Sequence, residues 1–407
     1  MFYPSKNNTA ISLLENELKE KGIKSIDRES HDGLPYDAYE VQAKDDQIRM
    51  LCNSERSYCY GLANVLEDIR LDRKIKSRLY KPKIRHRLSE AYAPMAHQNN
   101  QNSPPYLEHT WHTRIQHPHH WPEYDAILDE NEAAKAAIRF EEYCFMLLCE
   151  GYNGLVLDGM IYMPTYKNLN DGKGIYDLES HWYQRALAYQ RYFKKLIAIA
   201  KKYYLDFYLM ACEFAFSNPL RDYIGEMDVN NPKMWETLKE RYREVMSSLP
   251  EFKGVLIKWT DGGDGNQYTY HNRGIYTYEH EEKDKTKAKV KNLRPLLNDI
   301  ASVVCDEFNK ELIFRTWDVG DDGIHAVPEN QKEVFQDVEN NELVYQCIKN
   351  GKCDFWLHSK VNPNLGGFPR QYIEYQHKME HDGHSSVPLY MGRIFEERIK
   401  GNVDIGV

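Results

Sequence analysis

Two short runs place carboxylates where an α/β barrel does hydrolytic chemistry. Lys349-Asn350-Gly351-Lys352-Cys353-Asp354-Phe355 and Glu374-Tyr375-Gln376-His377-Lys378-Met379-Glu380 each close a predicted β-strand. Each delivers a carboxylate, Asp354 or Glu380, just past the strand's C-terminal end. Barrel sites are built on that rim, and paired carboxylates there suit glycosidic hydrolysis, which needs an acid on the leaving oxygen and a base on the water. A third acidic position follows another predicted strand, in Lys258-Trp259-Thr260-Asp261-Gly262-Gly263-Asp264-Gly265. Its glycines let backbone and substrate approach closely. An Asp in a Gly-rich loop is equally well explained as turn chemistry, so Asp261 and Asp264 stay open between the two roles.

Three cations stand near the same predicted strand ends: Lys258, Arg315 in Phe314-Arg315-Thr316-Trp317-Asp318, and Lys349. Arg offers a bidentate fork and Lys a point charge, and together they suit a bound carboxylate. The bland alternative is that each neutralises a buried Asp. The histidines His109, His112, His117, His119 and His120 lack the fixed Cys or carboxylate pattern of a metal site. That loop reads as a substrate cover, with Trp111 and Trp121 as stacking faces. Asp318, Asp321 and Asp322 read as a solvated turn or as hydrogen-bond acceptors. No metal or organic cofactor is expected.

The elements that would position these groups can be read from apolar runs. β-rich segments recur at Ile84–Glu90, Gly154–Asp158, Asp206–Glu213, Gly254–Thr260, Glu311–Asp318, Leu343–Lys349, Tyr372–Lys378 and Val387–Gly392. Helical spacing lies between them at Ala133–Glu150, Leu178–Tyr204, Pro232–Leu249 and Val290–Asn309, with a short helix at Ile394–Lys400. Eight strands with helical crossovers predict an α/β fold, a (β/α)8 TIM barrel over residues 80–407. Long connections at Ala93–Asp129 and Asp261–Lys289 would shape its mouth. Ahead of it, residues 1–75 predict a small α/β sandwich: a helix over Thr9–Lys21, strands at Tyr39–Ala43 and Gln47–Cys52, and a helix over Tyr58–Leu71. A basic link, Arg73–Lys83, joins the two.

Composition fits this plan. The 407 residues exceed one ordinary domain but hold a small domain plus a barrel of about 250–320 residues. The net charge of −9, without a basic block, argues against nucleic acid or an anionic membrane surface as the main partner. An acidic oligosaccharide would then be held by local cations. Thirty tyrosines raise the aromatic share, and most read as core rings with tethered hydroxyls. The eight cysteines form no CxxC pair and mostly sit in apolar runs, as reduced core thiols do. No run approaches the ~20 apolar residues of a membrane span, and the N-terminus lacks a signal pattern; a cytoplasmic protein is expected, of unknown oligomeric state.

On these residues the chain resembles the family 67 α-glucuronidases. Lys-Asn-Gly-x-x-Asp-Phe at Lys349–Phe355 and Glu-x-Gln-x-x-x-Glu at Glu374–Glu380 carry the resemblance. Stretches at Tyr39–Leu66, Glu150–Leu157 and Glu251–Lys258 extend it over nearly the whole chain. It implies an N-terminal α/β domain, a (β/α)8 catalytic barrel, and removal of glucuronic acid from xylan fragments with inversion. It also implies that Asp354 and Glu380 activate water and that Lys258, Arg315 and Lys349 hold the uronate carboxylate. Trp111, Trp317 and His358 complete the expected substrate-binding set. Three departures accompany it. The family's general-acid Glu position is Gly262 here, flanked by Asp261 and Asp264. Its Arg-Glu-Pro after the Asp-Phe pair is His358-Ser359-Lys360. Its C-terminal helical domain has no counterpart. A catalytically silent carbohydrate-binding barrel and a retaining glycosidase of changed substrate remain as alternative expectations.

Overall fold

The computed structural model describes residues 9–91, 128, 130–212, 216–225, 230–258, 285–316, 324–349, 351, 361–374 and 392–404. They divide into two compact units. One comes from residues within 1–90, 130–155 and 193–207, and the other from the remainder.

In the first unit, helix α1 (Ala10–Glu20) starts where the Thr9 hydroxyl accepts from the Ser12 amide at 3.3 Å, and it buries Leu13, Leu14 and Leu18. Strands β1 (Ser25–Ser30), β2 (Tyr39–Lys44) and β3 (Gln47–Cys52) follow, then helix α2 (Glu55–Arg70) and strand β4 (Arg78–Tyr80). The sheet order is β1-β3-β2-β4. β1 and β3 are parallel, whereas β2 pairs antiparallel with β3 and β4. A reciprocal box between Ser54 and Ser57 opens α2 by satisfying amides that have no partner in the helix. α1 and α2 pack together, and Arg70 of α2 reaches Glu17 of α1 at 2.6 Å. The sequence reading found β2, β3 and both helices. It missed β1, which is polar and largely exposed, and β4, whose three residues are too few to alternate; they pair along the edges of β3 and β2. β4 lies inside the stretch read as a link.

Further along come strand β5 (Leu88–Ala91), helix α3 (Glu130–Cys149), strand β6 (Gly154–Asp158), helix α4 (His181–Lys202), strand β7 (Asp206–Cys212), helices α5 (Asn218–Ile224) and α6 (Pro232–Ser248), and strand β8 (Gly254–Lys258). Helix α7 (Lys285–Ala301) continues into a π-helical turn, Ser302–Glu307. Strand β9 (Glu311–Arg315), helix α8 (Pro328–Phe335), strands β10 (Val344–Lys349) and β11 (Gln371–Glu374) and helix α9 (Gly392–Asp404) complete the order. The seven later strands form one curled parallel sheet in the order β11-β10-β9-β8-β7-β6-β5. Seven of the eight expected barrel strands therefore occur, in sequence order. Of the expected eighth, Val387–Gly392, residues 387–391 lie outside the described residues and Gly392 opens α9. The expected loop Asp261–Lys289 ends earlier than read, because Lys285–Lys289 form the first turn of α7.

Glycines at two strand starts allow the close spacing of this sheet. A Cβ on Gly254 would stand 2.3 Å from the carbonyl oxygen of Glu311, the first residue of β9. A Cβ on Gly154 would stand 2.9 Å from that of Asp206, the first residue of β7. Both strands open on Gly followed by a buried aliphatic run, so the strand face is filled while the neighbouring backbone is admitted.

The tyrosines behave mainly as tethered core rings. Tyr58 donates to Glu15 and Tyr60 to the Tyr152 carbonyl, both at 2.7 Å, and Tyr208 donates to Glu311 at 2.6 Å. Burial pushes the hydroxyls of Tyr58 and Tyr60 upward, and that of Tyr143 up to about 12. Cys52, Cys59, Cys144, Cys149, Cys305 and Cys347 are free thiols.

Candidate active site

Register brings two of the expected cations to neighbouring strand ends on one face. On β9 the ring of Phe314 meets Phe335 of α8 at 5.7 Å between centroids, so Phe314 faces the helix layer. Arg315, next along the strand, takes the opposite face. Its register partner on β10 is Cys347, and Lys349, two residues further, shares that face. Strand spacing and rise put the Arg315 and Lys349 Cα atoms about 8 Å apart. Both side chains are buried, Arg315 at 2% and Lys349 at 5% exposure. Lys258, at the end of β8, is the direct register partner of Arg315, and Glu374 on β11 is that of Lys349. Two like charges buried so near each other require an answering anion or polar shell.

A polar cluster that the sequence reading missed holds the backbone just past Lys349. Gly351 forms an antiparallel bridge with Val361, closing the stems of the segment that carries Asp354 and His358. Asn362 Nδ2 donates to the Lys349 carbonyl at 3.1 Å, and its Oδ1 accepts from the Asn364 amide at 2.9 Å. The buried His325 ring sets Nε2 3.0 Å from the Gly351 carbonyl. Asn362 Nδ2 stands 3.0 Å from Nε2 and 3.3 Å from Nδ1 of the same ring. Asn364 Nδ2 donates to the carbonyls of Ile324 and His325 at 3.1 and 2.9 Å. Thr316, Gln346 and Gln371 extend the chain across β9, β10 and β11: Gln346 donates to Thr316 Oγ1 at 3.2 Å and Gln371 to Gln346 Oε1 at 2.6 Å. The three strands and the backbone past Lys349 are thus tied by neutral amides and a hydroxyl, which hold position without adding charge. The Val361-Asn362-Pro363-Asn364 run reads locally as turn chemistry, and only tertiary burial shows its role.

Asp261, Asp264, Asp354, Glu380, Trp111, Trp317 and His358 lie outside the described residues, as do the clustered histidines. For Lys258 the backbone position alone is described. Among the described residues no group of three or more His, Cys, Asp or Glu is placed to hold a metal ion, and no helix is long and apolar enough to cross a membrane.

No protein-family model matches the chain, and neither does any curated protein. Among solved structures it is similar to a family GH138 enzyme targeting pectin rhamnogalacturonan II, with a TM-score of 0.53 and 14% identity over 85% of this chain. It also matches an exo β-N-acetylglucosaminidase of family GH20 from Vibrio harveyi (TM-score 0.43, 11% identity, 85% of this chain). A β-N-acetylhexosaminidase from Bacteroides fragilis gives a TM-score of 0.43 at 8% identity over 80% of this chain. The chain spans 37%, 56% and 58% of the lengths of those three proteins. The first likeness extends to the fold.

Proposed function

We propose that this protein is a glycoside hydrolase that removes a terminal uronic acid, glucuronic-acid-like, from oligosaccharides with inversion. The observation that carries the reading is the pair Arg315 and Lys349, buried on one face at adjacent parallel strand ends, with Lys258 as Arg315's register partner. A uronate carboxylate is an anion of the size and charge such a cluster would bind, by fork on Arg and point charge on Lys. The fold likeness to a GH138 enzyme that targets a pectin supports a sugar substrate, and the motif resemblance to family 67 supports the acidic sugar. In this reading residues 1–75 form the small domain, and residues 80–407 close an eight-stranded barrel around the sheet.

The chemistry then follows the inverting course. Asp261 or Asp264 gives a proton to the glycosidic oxygen, and enclosure keeps that acid protonated. Asp354 and Glu380 orient water and take its proton as its oxygen bonds to the anomeric carbon from the opposite ring face. The bond to the leaving oxygen breaks with its electrons, and the proton from the acid completes the alcohol. Trp111, Trp317 and His358 line the sugar. Gly262 at the family's acid position favours one second reading, a barrel that binds sugar without turnover.

Proton NMR of the protein with uronic-acid-capped oligosaccharides, including glucuronoxylo-oligosaccharides, separates the two. Early appearance of free β-anomeric uronic acid from an α-linked substrate, absent with Asp354→Ala, is the expected result. Lys349→Met should lower kcat/KM on these substrates about 30-fold, the worth of a charge-assisted contact. Line broadening without product would establish the silent barrel, and early α-anomer a retaining enzyme.

A further inference from the structure

A second opening lies in the helix layer of the same unit, lined by none of the strand-end residues named above. Tyr183, Leu187 and Gln190 lie along one stripe of α4, and Glu240, Arg243, Glu244 and Ser247 lie along one stripe of α6. The chain that follows β6 drops between the two helices. It is pinned there by Glu244, which accepts from the Thr165 amide, the Thr165 hydroxyl and the Tyr166 amide at 2.7, 2.6 and 2.7 Å. What remains between the helices is a cleft of 510 Å³, within the range of about 300–1,000 Å³ usual for small-molecule sites.

The lining separates groups already satisfied from groups left to act. Glu244 is saturated by its three donors. Arg243 is held by Glu307, with Nη2 at 2.6 Å from Oε1 and Nε at 2.9 Å from Oε2. Glu240 differs: it is 8% exposed, yet among the described residues Asn168, at 2.6 Å, is its single hydrogen-bond donor. Burial raises its carboxyl above the ordinary value, as expected of an acceptor short of donors. Lys167 also lines the cleft, so two carboxylates stand against two cations and the field favours neither an anion nor a cation. The Ser247 hydroxyl and the Gln190 amide, whose Nε2 already donates to the Met163 carbonyl at 2.7 Å, accompany the aromatic rings of Tyr183 and Phe308.

We propose that this cleft between α4 and α6 is a second carbohydrate-binding site, taking a neutral pyranose unit whose hydroxyls donate to Glu240 and whose carbon face meets Tyr183. Mixed aromatic and hydrogen-bonding lining with balanced charge is what such a ring requires. The assignment stands whether or not the strand-end rim is catalytic. A site of this kind would hold a neutral stretch of a longer chain against the protein.

Saturation-transfer NMR with xylotriose, cellotriose and methyl α-glucopyranoside tests it, with glucuronate and putrescine as charged controls. The protein, Asp354→Ala, Glu240→Gln and Tyr183→Ala would run in parallel, with folding checked by circular dichroism. Binding of at least one neutral saccharide, retained in Asp354→Ala and weakened tenfold or more in both cleft variants, is expected. Glu240→Gln keeps an oxygen for Asn168, and Tyr183 is half-buried, so at least one variant should remain folded. Binding of glucuronate or putrescine alone, neutral binding unchanged in both cleft variants, or no neutral binding at millimolar sugar would overturn the proposal. Loss of neutral binding in Asp354→Ala alone would assign it to the rim and overturn it equally. Absence of turnover, which would sink the hydrolase reading, leaves these outcomes untouched.

Discussion

Charge is buried in both units, but on different scaffolds. In the first unit Asp37, 1% exposed, sits between two guanidinium groups: Arg56 Nε at 2.9 Å and Arg87 Nη2 at 2.8 Å. Most of the remaining donors go to backbone. Arg56 Nη1 donates to the carbonyls of Asn153 and Tyr204, and Arg87 donates to those of Gly151 and Ile84. Five separate pieces of chain are tied to one carboxylate, and the donors are spent on holding them. In the second unit Arg315 and Lys349 bring like charges to one face of adjacent strands, while neutral amides secure the backbone around them. A cluster with its own anion at the centre stabilises a fold. At the strand-end rim Arg315 and Lys349 share their register with Lys258 and Glu374 and stand on backbone held by neutral amides.

That contrast breaks first at Asp37. Asp37→Ala strands two buried guanidinium groups and should cost about 3–5 kcal/mol, read as a lower urea midpoint. Turnover per folded molecule should stay unchanged. A variant of normal stability and lost turnover would merge the two regions into one functional class.

A smaller effect is expected at the amide clamp. Asn362→Ala removes the donor to the Lys349 carbonyl and to the His325 ring, leaving buried acceptors unmet at about 1–3 kcal/mol. Because the clamp closes the stems of the segment bearing Asp354, kcat should fall tenfold or more while KM moves less. Equal loss of kcat and stability in an unrelated core variant such as Gly254→Ala would show the kcat effect to be general loosening, and the rim would lose its special standing.

What the sequence disclosed follows the same division. β6, β8, β9 and β10 were legible because they are short aliphatic runs bounded by turns, and Arg315 and Lys349 because a charge at the end of such a run is conspicuous. Asn362, Asn364 and His325 were not, since an isolated polar residue in a loop gives no sign that it will be buried. β1 and β4 were hidden for other reasons: β1 is polar and largely exposed, and β4, Arg78-Leu79-Tyr80, is too short to show a period. Glu240 and Glu244 lie four apart on an amphipathic helix, a spacing that usually marks a solvated face, and only the chain dropped between α4 and α6 takes them out of water. The motifs at Asp354 and Glu380 were visible as residue types, but their arrangement depends on segments outside the described residues.

The least costly test lies at the surface, where another carboxylate with an Arg partner behaves unlike Asp37. Asp337 is 39% exposed and accepts from Arg294 Nε at 2.6 Å, Arg294 Nη2 at 2.8 Å and Asn298 Nδ2 at 2.7 Å. Hydrogen bonds from Arg294, and then from Asn298, lower its carboxyl to about 2. For Asp37 burial outweighs Arg87 and Asn153 and raises the carboxyl. The signs of linkage are therefore opposite. A lowered native pKa means the unfolded chain takes the proton first, so Asp337's contribution is present above the ordinary carboxylate pKa of about 4 and lost as pH falls through about 2. A raised native pKa means the reverse: Asp37's contribution is complete below about 4 and declines as pH rises through its native value. Urea midpoints for the protein and Asp337→Asn should differ slightly at about pH 5 and converge by about pH 2. With Asp37→Asn the difference should narrow at low pH because both states then carry a neutral group there. If carboxyl NMR instead finds Asp37 titrating below Asp337, its arginines outweigh its burial, and the first unit's cluster is held by charge pairing more strongly than by its enclosure.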